Sequence, residues 1–276
     1  MQLTVLVDNN TIIDRYFLAE PALSFLIEEN NNSILFDTGY SDVFLKNAHK
    51  KGKNLSLINY IVLSHSHLDH TWGLEPLMRY FSELEIEMGS CSRPELITHP
   101  ETFTPASGLG FKELGTLISK DRISKHFTLN LSKKPLHLTD NLVFLGQIPR
   151  KHGFEGQLGF GHKKGQHEPD TVIEDSALVY VDAAGLTIIT GCSHSGICNI
   201  IDYAQKVCNE DRVLYVIGGF HLQNPPEQQL NGTLNYFKKL QPEAVYACHC
   251  TDLKSKIALS HVVRLEEVGA GLSLSF

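Results

Sequence analysis

No apolar run in this 276-residue chain approaches the roughly 20 residues that a helix needs to cross a bilayer. The opening Met1-Gln2-Leu3-Thr4-Val5-Leu6-Val7 also lacks the basic flank and long apolar stretch of a secretory signal, so a cytoplasmic protein with no membrane partner is expected. Basic runs are equally scarce. None exceeds a pair such as Lys50-Lys51 or Lys133-Lys134, and 31 acidic residues outnumber 24 basic ones for a formal charge of −7. That balance gives no electrostatic footprint for nucleic acid. The cysteines number only six, and in a reducing compartment they suit burial or metal ligation better than a disulfide framework. Disorder is excluded as well, because 42% of the residues are apolar and only 20% charged. The length suggests one large domain, 1–276, with insertions, and leaves the oligomeric state open.

The patterning that is present begins with an apolar strand over 3–7 and a hairpin of Ser24–Glu28 and Ser33–Asp37 around Asn30-Asn31-Asn32, where asparagine tolerates the left-handed turn. Ile58–Leu63 reads as a buried strand. After Gly73, apolar residues at Leu74, Leu77, Met78 and Phe81 fall at helical spacing. Residues 91–137 show no sustained period and read as an insertion, and 153–175 reads as a Gly-, His- and Lys-rich loop flanking a site. From 177 the pattern is regular: a hairpin of 177–181 and 186–190, a helix with Ile197, Ile200, Ile201 and Ala204 on one face, and a strand at 213–217. A helix with Leu230, Leu234, Phe237 and Leu240 and a strand at 244–247 complete it. Alternating strand and helix with an antiparallel hairpin component predicts an α/β sandwich with outer helices.

The strongest chemical signal is His65-Ser66-His67-Leu68-Asp69-His70, four potential ligands in six positions directly after an apolar strand. His65 and His67 alternate in extended chain and so share a side, while Asp69 and His70, where the chain turns into the helix, can reach a neighbouring ion. Imidazoles with a carboxylate suit zinc, iron or manganese. Solvated loop histidines are the bland alternative, and a cluster this dense makes it a poor one.

Leu63–His70 resembles the HxHxDH signature of the metallo-β-lactamase superfamily, and Leu35-Phe36-Asp37-Thr38-Gly39 is similar to that superfamily's LFDTG element. The resemblance implies a four-layer αββα sandwich and two divalent metal ions, zinc first, with Asp37 supporting the ligands from behind. It also implies ligands at later strand ends. By chain order His249, in Cys248-His249-Cys250, matches the final ligand, and His194, in Thr190-Gly191-Cys192-Ser193-His194-Ser195-Gly196, is the choice for the remaining imidazole. His221 stays open between ligand, substrate contact and a partner further out. Where many members carry a bridging aspartate after Thr-Gly this chain has Cys192, so sulfur, His194 or only hydroxide would fill that place.

Three reactions follow from these readings. A hydroxide between two metals, with Asp69 and His221 as the candidates to orient it or move its proton, predicts hydrolysis of an anionic ester or phosphoester. The Thr190–Gly196 run instead resembles a subgroup that includes dihydropterin–ribofuranosylaminobenzene phosphate synthases, which implies a transferase releasing pyrophosphate from a dihydropterin diphosphate. Ile148-Pro149-Arg150 with Phe154-Glu155 is similar to the same subgroup and implies a phosphate near Arg150, although one arginine is no motif and a salt bridge explains it as well. An iron-containing redox or sensor protein is the third reading, carried only by Cys248-His249-Cys250. In the first two readings the partner is a phosphorylated small molecule.

Overall fold

A computed structural model describes residues 1–89 and 93–276, and they fall into two compact units. The first comprises Met1–Ser132, Gly161–Glu168 and Val268–Phe276, the second Lys133–Phe160 and Pro169–Glu267. The architecture is α/β, with one large mixed sheet in each unit. No described helix is long and apolar enough to cross a membrane.

In the first unit the sheet runs Ser273–Ser275, Gln2–Val7, Ser24–Glu29, Asn32–Phe36, Tyr60–Val62, Glu95–Thr98, Thr128–Leu131. Pairing is antiparallel up to Asn32–Phe36 and parallel beyond it. Asn30 takes the hairpin turn at φ 52°, as its short amide side chain allows. The helices Val43–Lys50 and Leu74–Met88 bring Phe44, Ala48, Leu74, Leu77 and Phe81 into one apolar cluster with Leu35 and Ile61 of the strands and with Leu63, just past a strand end. This packing fixes the strand end from which Ser64–His70 emerges.

The segment 91–137, expected as an insertion, supplies two of the sheet's parallel strands, Glu95–Thr98 and Thr128–Leu131. Residues 91 and 92 lie outside the described residues. Four-residue strands are too short to show a period, which is why these escaped the pattern. In 153–175 the one regular piece is His162–Lys163, paired with Ala106–Ser107.

The second unit's sheet runs Ala244–Cys248, Val213–Gly219, Gly185–Thr190, Ala177–Asp182, Leu142–Phe144, Leu136–His137. Its first three strands are parallel and the rest antiparallel. Helix Ile197–Cys208 buries Ile197, Ile200, Ile201 and Ala204 against Ile188 and Val216, and helix Glu227–Leu240 adds Phe237 to the same core. Parallel strands whose C-terminal ends lie in register leave one edge where loops can converge.

Candidate metal centre and adjoining cavity

In the first unit, Asp37 follows its strand with φ 55°, and its backbone N–H still donates to Val62 O at 2.8 Å. A left-handed non-glycine residue is costly, and here it aims a fully buried carboxylate at the next loop. Oδ1 accepts the Ser64 N–H and Oδ2 the Ser64 hydroxyl, each at 2.7 Å, while His70 Nδ1 lies 2.6 Å from Oδ2. Ser64 has one hydroxyl proton, given to Asp37. Its contact with His65 Nδ1 at 2.9 Å therefore has the imidazole as donor. Both His65 and His70 are thus fixed with the proton on Nδ1 and the lone pair on Nε2, the arrangement usual for metal-binding histidines.

The rings converge: His65 is 4.8 Å from His67 and 4.1 Å from His70, centroid to centroid. His65 and His70 are fully buried. Asp69 Oδ2 stands 3.7 Å from His70 Nε2, two electron-pair donors facing each other. Such a set is stabilised by a cation and fits a divalent transition metal.

In the second unit the three parallel strand ends carry the later histidines. Thr190 pairs with Gly218 and Gly219 with Cys248, so the loops at Cys192–His194, His221 and His249 start level with one another. Ser193, His221 and His249 all have left-handed backbones, at φ 62°, 52° and 51°. Crowding here requires glycine at 219, where a Cβ would come within 2.6 Å of both Cys250 Sγ and Gly191 O.

His194 and His221 lie 4.4 Å apart, and His249 Nε2 is 3.2 Å from Cys192 Sγ. Donor atoms of Cys192, His221 and Cys250 all fall within 4.8 Å of one another. Burial opposes ionisation of Cys250. Hydrogen bonding with Cys192 and His221 and the charges of His249 and His221 outweigh it, holding the thiol well below its usual range. Among the described residues the buried Nδ1 of the His221 ring has no hydrogen-bond partner. This sulfur and nitrogen set also fits a soft divalent ion.

Several supporting contacts had no sequence signal. Asp175, fully buried, accepts the Ser195 N–H at 2.8 Å and the Ser195 hydroxyl at 2.5 Å, steadying the loop beside His194. Burial pushes its carboxyl up to about 6. Glu155 accepts the N–H groups of Asn199 at 2.7 Å and Cys198 at 3.3 Å, capping helix Ile197–Cys208. Burial pushes it up to about 7 against the pull of those bonds. Phe160 lies edge-on to His194 at 5.0 Å and to His221 at 4.8 Å.

Arg150, read as a phosphate contact, donates Nη1 to Gly156 O at 2.8 Å and Nη2 to Val172 O at 3.0 Å and to Thr171 O. Its terminal nitrogens thereby tie the two ends of the 153–175 loop together. Beside these residues lies a cavity of about 170 Å³ whose lining includes Phe154, Phe160, His194, His221, Gln228 and Gln229.

Residues 19–88 match the model of the metallo-beta-lactamase superfamily. The chain is 33% identical over 265 residues to an uncharacterized protein of Methanocaldococcus jannaschii, covering 94% of this chain and 93% of that one. It is 32% identical over 255 residues to the same organism's 7,8-dihydropterin-6-methyl-4-(beta-D-ribofuranosyl)-aminobenzene-5'-phosphate synthase, covering 87% of this chain and 84% of that one. A crystal structure described as a metal-dependent hydrolase of the beta-lactamase superfamily superposes with a TM-score of 0.83 at 28% identity, covering 100% of this chain and 99% of the other.

Proposed function

Because the chain belongs to the metallo-β-lactamase superfamily, its donors can be read by chain order in that family, and we propose that it is a metal-dependent transferase. In this reading it joins the methylene carbon of a dihydropterin diphosphate to a ribofuranosyl-aminobenzene phosphate and releases pyrophosphate. The supporting observation is the 32% identity to a synthase of that name over 87% of this chain. The Cys192 position adds to it, since Thr190-Gly191 is followed by sulfur instead of a carboxylate.

The proposed ligands are His65, His67, Asp69 and His70 of the first unit and His194 and His249 of the second, with Cys192 in reach of His249. Two divalent ions, zinc first, would supply positive charge to a phosphorylated substrate and its leaving group. The chain's own part is positional. Asp37 and Ser64 fix the imidazoles, Asp175 steadies the loop carrying His194, and Asp69 and His221 are the candidates to take the proton lost by the arylamine nitrogen as its bond to carbon forms. The partners this reading requires are the two phosphorylated small molecules that it joins.

Hydrolysis is the second reading, favoured by the 0.83 TM-score to a structure described as a hydrolase. One experiment separates the two. Zinc- or manganese-loaded protein is given the pterin diphosphate with and without the arylamine phosphate, and pyrophosphate and the coupled product are followed. Pyrophosphate release that needs both substrates, with a pterin–arylamine adduct by mass spectrometry, is expected. Diphosphate cleavage without the second substrate would instead favour the hydrolase.

A further inference from the structure

We propose that the cavity beside His194 and His221 is where the flat ring of the pterin binds, an inference that rests on the transferase reading. Size bears on it first. About 150 Å³ is enough for a benzene-sized ring, and pockets for whole drug-sized ligands start near 300 Å³. At about 170 Å³ this cavity takes one ring system, not both halves of the reaction.

Charge decides which part of the substrate enters. Among the described residues neither lysine nor arginine lines the cavity, and the nearby Arg150 is committed to backbone carbonyls. A phosphate or pyrophosphate would find no lysine or arginine here and would face the Glu155 carboxylate beside the two histidines, so the uncharged ring is the part that suits it.

The walls suit an aromatic face. Phe160 stands edge-on to both histidines, and Phe154 is pinned from behind by helix Glu227–Leu240, where a Cβ on Gly232 would lie 2.5 Å from its ring. Aromatic pairs prefer such edge or offset contacts, and a planar ligand extends them. The polar lining favours the pterin over the benzene ring. Gln157, Gln228 and Gln229 present amides, and a pterin edge alternates donors and acceptors that amides match, whereas a substituted benzene offers only its amine. Gln229 is buried and donates to His221 O at 3.2 Å, which fixes its amide next to the histidine, while Gln157 and Gln228 are exposed.

The test is a titration of zinc-loaded protein with 6-hydroxymethylpterin, which fluoresces and carries no phosphate, on wild type, Phe160→Ala and the exposed-site variant Gln228→Leu, with zinc content measured on each. Quenching by wild type, about tenfold weaker binding to Phe160→Ala and severalfold weaker binding to Gln228→Leu at unchanged zinc, are expected. Equal affinity in all three proteins would overturn the placement. So would wild type that couples the two substrates yet shows no pterin binding, or variants that lose the arylamine phosphate instead. In each of these cases the transferase reading survives. If wild type neither binds the pterin nor couples the substrates, that reading fails and takes this one with it.

Discussion

Asp37 carries more of the site's geometry than any ligand, because one carboxylate fixes Ser64 and His70 directly and His65 through the serine hydroxyl. Asp37→Asn replaces one accepting oxygen by a donor, so the Ser64 hydroxyl or the His70 Nδ1–H loses its acceptor and the His70 tautomer is no longer enforced. Loss of a partner of this kind costs about 10- to 100-fold in metal affinity. Competition with a chromophoric chelator should show that loss in Asp37→Asn, and an unchanged affinity would remove His70 from the ligand set. A residue-scale effect also governs Glu155. Its folded value of about 7 lies above the ordinary 4.5, so between those pH values the native state keeps a proton that the unfolded chain has lost. Stability therefore falls as pH rises through that window, by about 3 kcal/mol at about 1.4 kcal/mol per unit. Glu155→Gln does not titrate. Urea unfolding at about pH 5 and about pH 8 should show wild type losing about 2.5 kcal/mol relative to the variant, the rest having gone below about pH 5.

At the scale of elements, the second unit depends on three parallel strand ends staying level, and Gly219 is where the spacing is tightest. Gly219→Ala would push against Cys250 Sγ and Gly191 O at once. Overpacking of this kind costs about 1–3 kcal/mol, so the urea midpoint should fall, with the loop at Cys192 displaced. The strands themselves were legible, since Val213–Gly219 and Ala244–Cys248 are apolar runs bounded by helices with a 3.6-residue period. The HxHxDH run was legible for a different reason, its ligands being adjacent in sequence. What escaped were contacts between distant segments. Asp175 meets Ser195, Glu155 meets Asn199 and Phe160 meets His221 across separations that no local period encodes. Glu95–Thr98 and Thr128–Leu131 escaped because four residues between prolines or polar stretches show no alternation, although the sheet needs both. The role of Arg150 was hidden similarly, since its partners are backbone carbonyls, which sequence does not mark.

For the whole molecule, the proposed ligands are brought together only in the folded chain, so metal binding and folding are linked. An ion that binds only the native chain adds about 2.7 kcal/mol of stability at a free concentration 100 times its dissociation constant. For a chain of this length each kcal/mol shifts the melting temperature by about 2–4 °C. Stripping the metal with a chelator should therefore lower the Tm of wild type by about 5–10 °C, reversibly on adding zinc back, and the Tm should rise with the logarithm of free zinc. His65→Ala/His67→Ala removes two loop donors that fill little of the apolar core. Its Tm should match that of stripped wild type and stay flat with zinc, with about two metal atoms per chain in wild type lost from the variant by elemental analysis. The two measurements check each other. A double variant that kept its metal and its zinc-dependent Tm would place the ions on other donors, and the soft set of Cys192, His221 and Cys250 would then be the next to substitute.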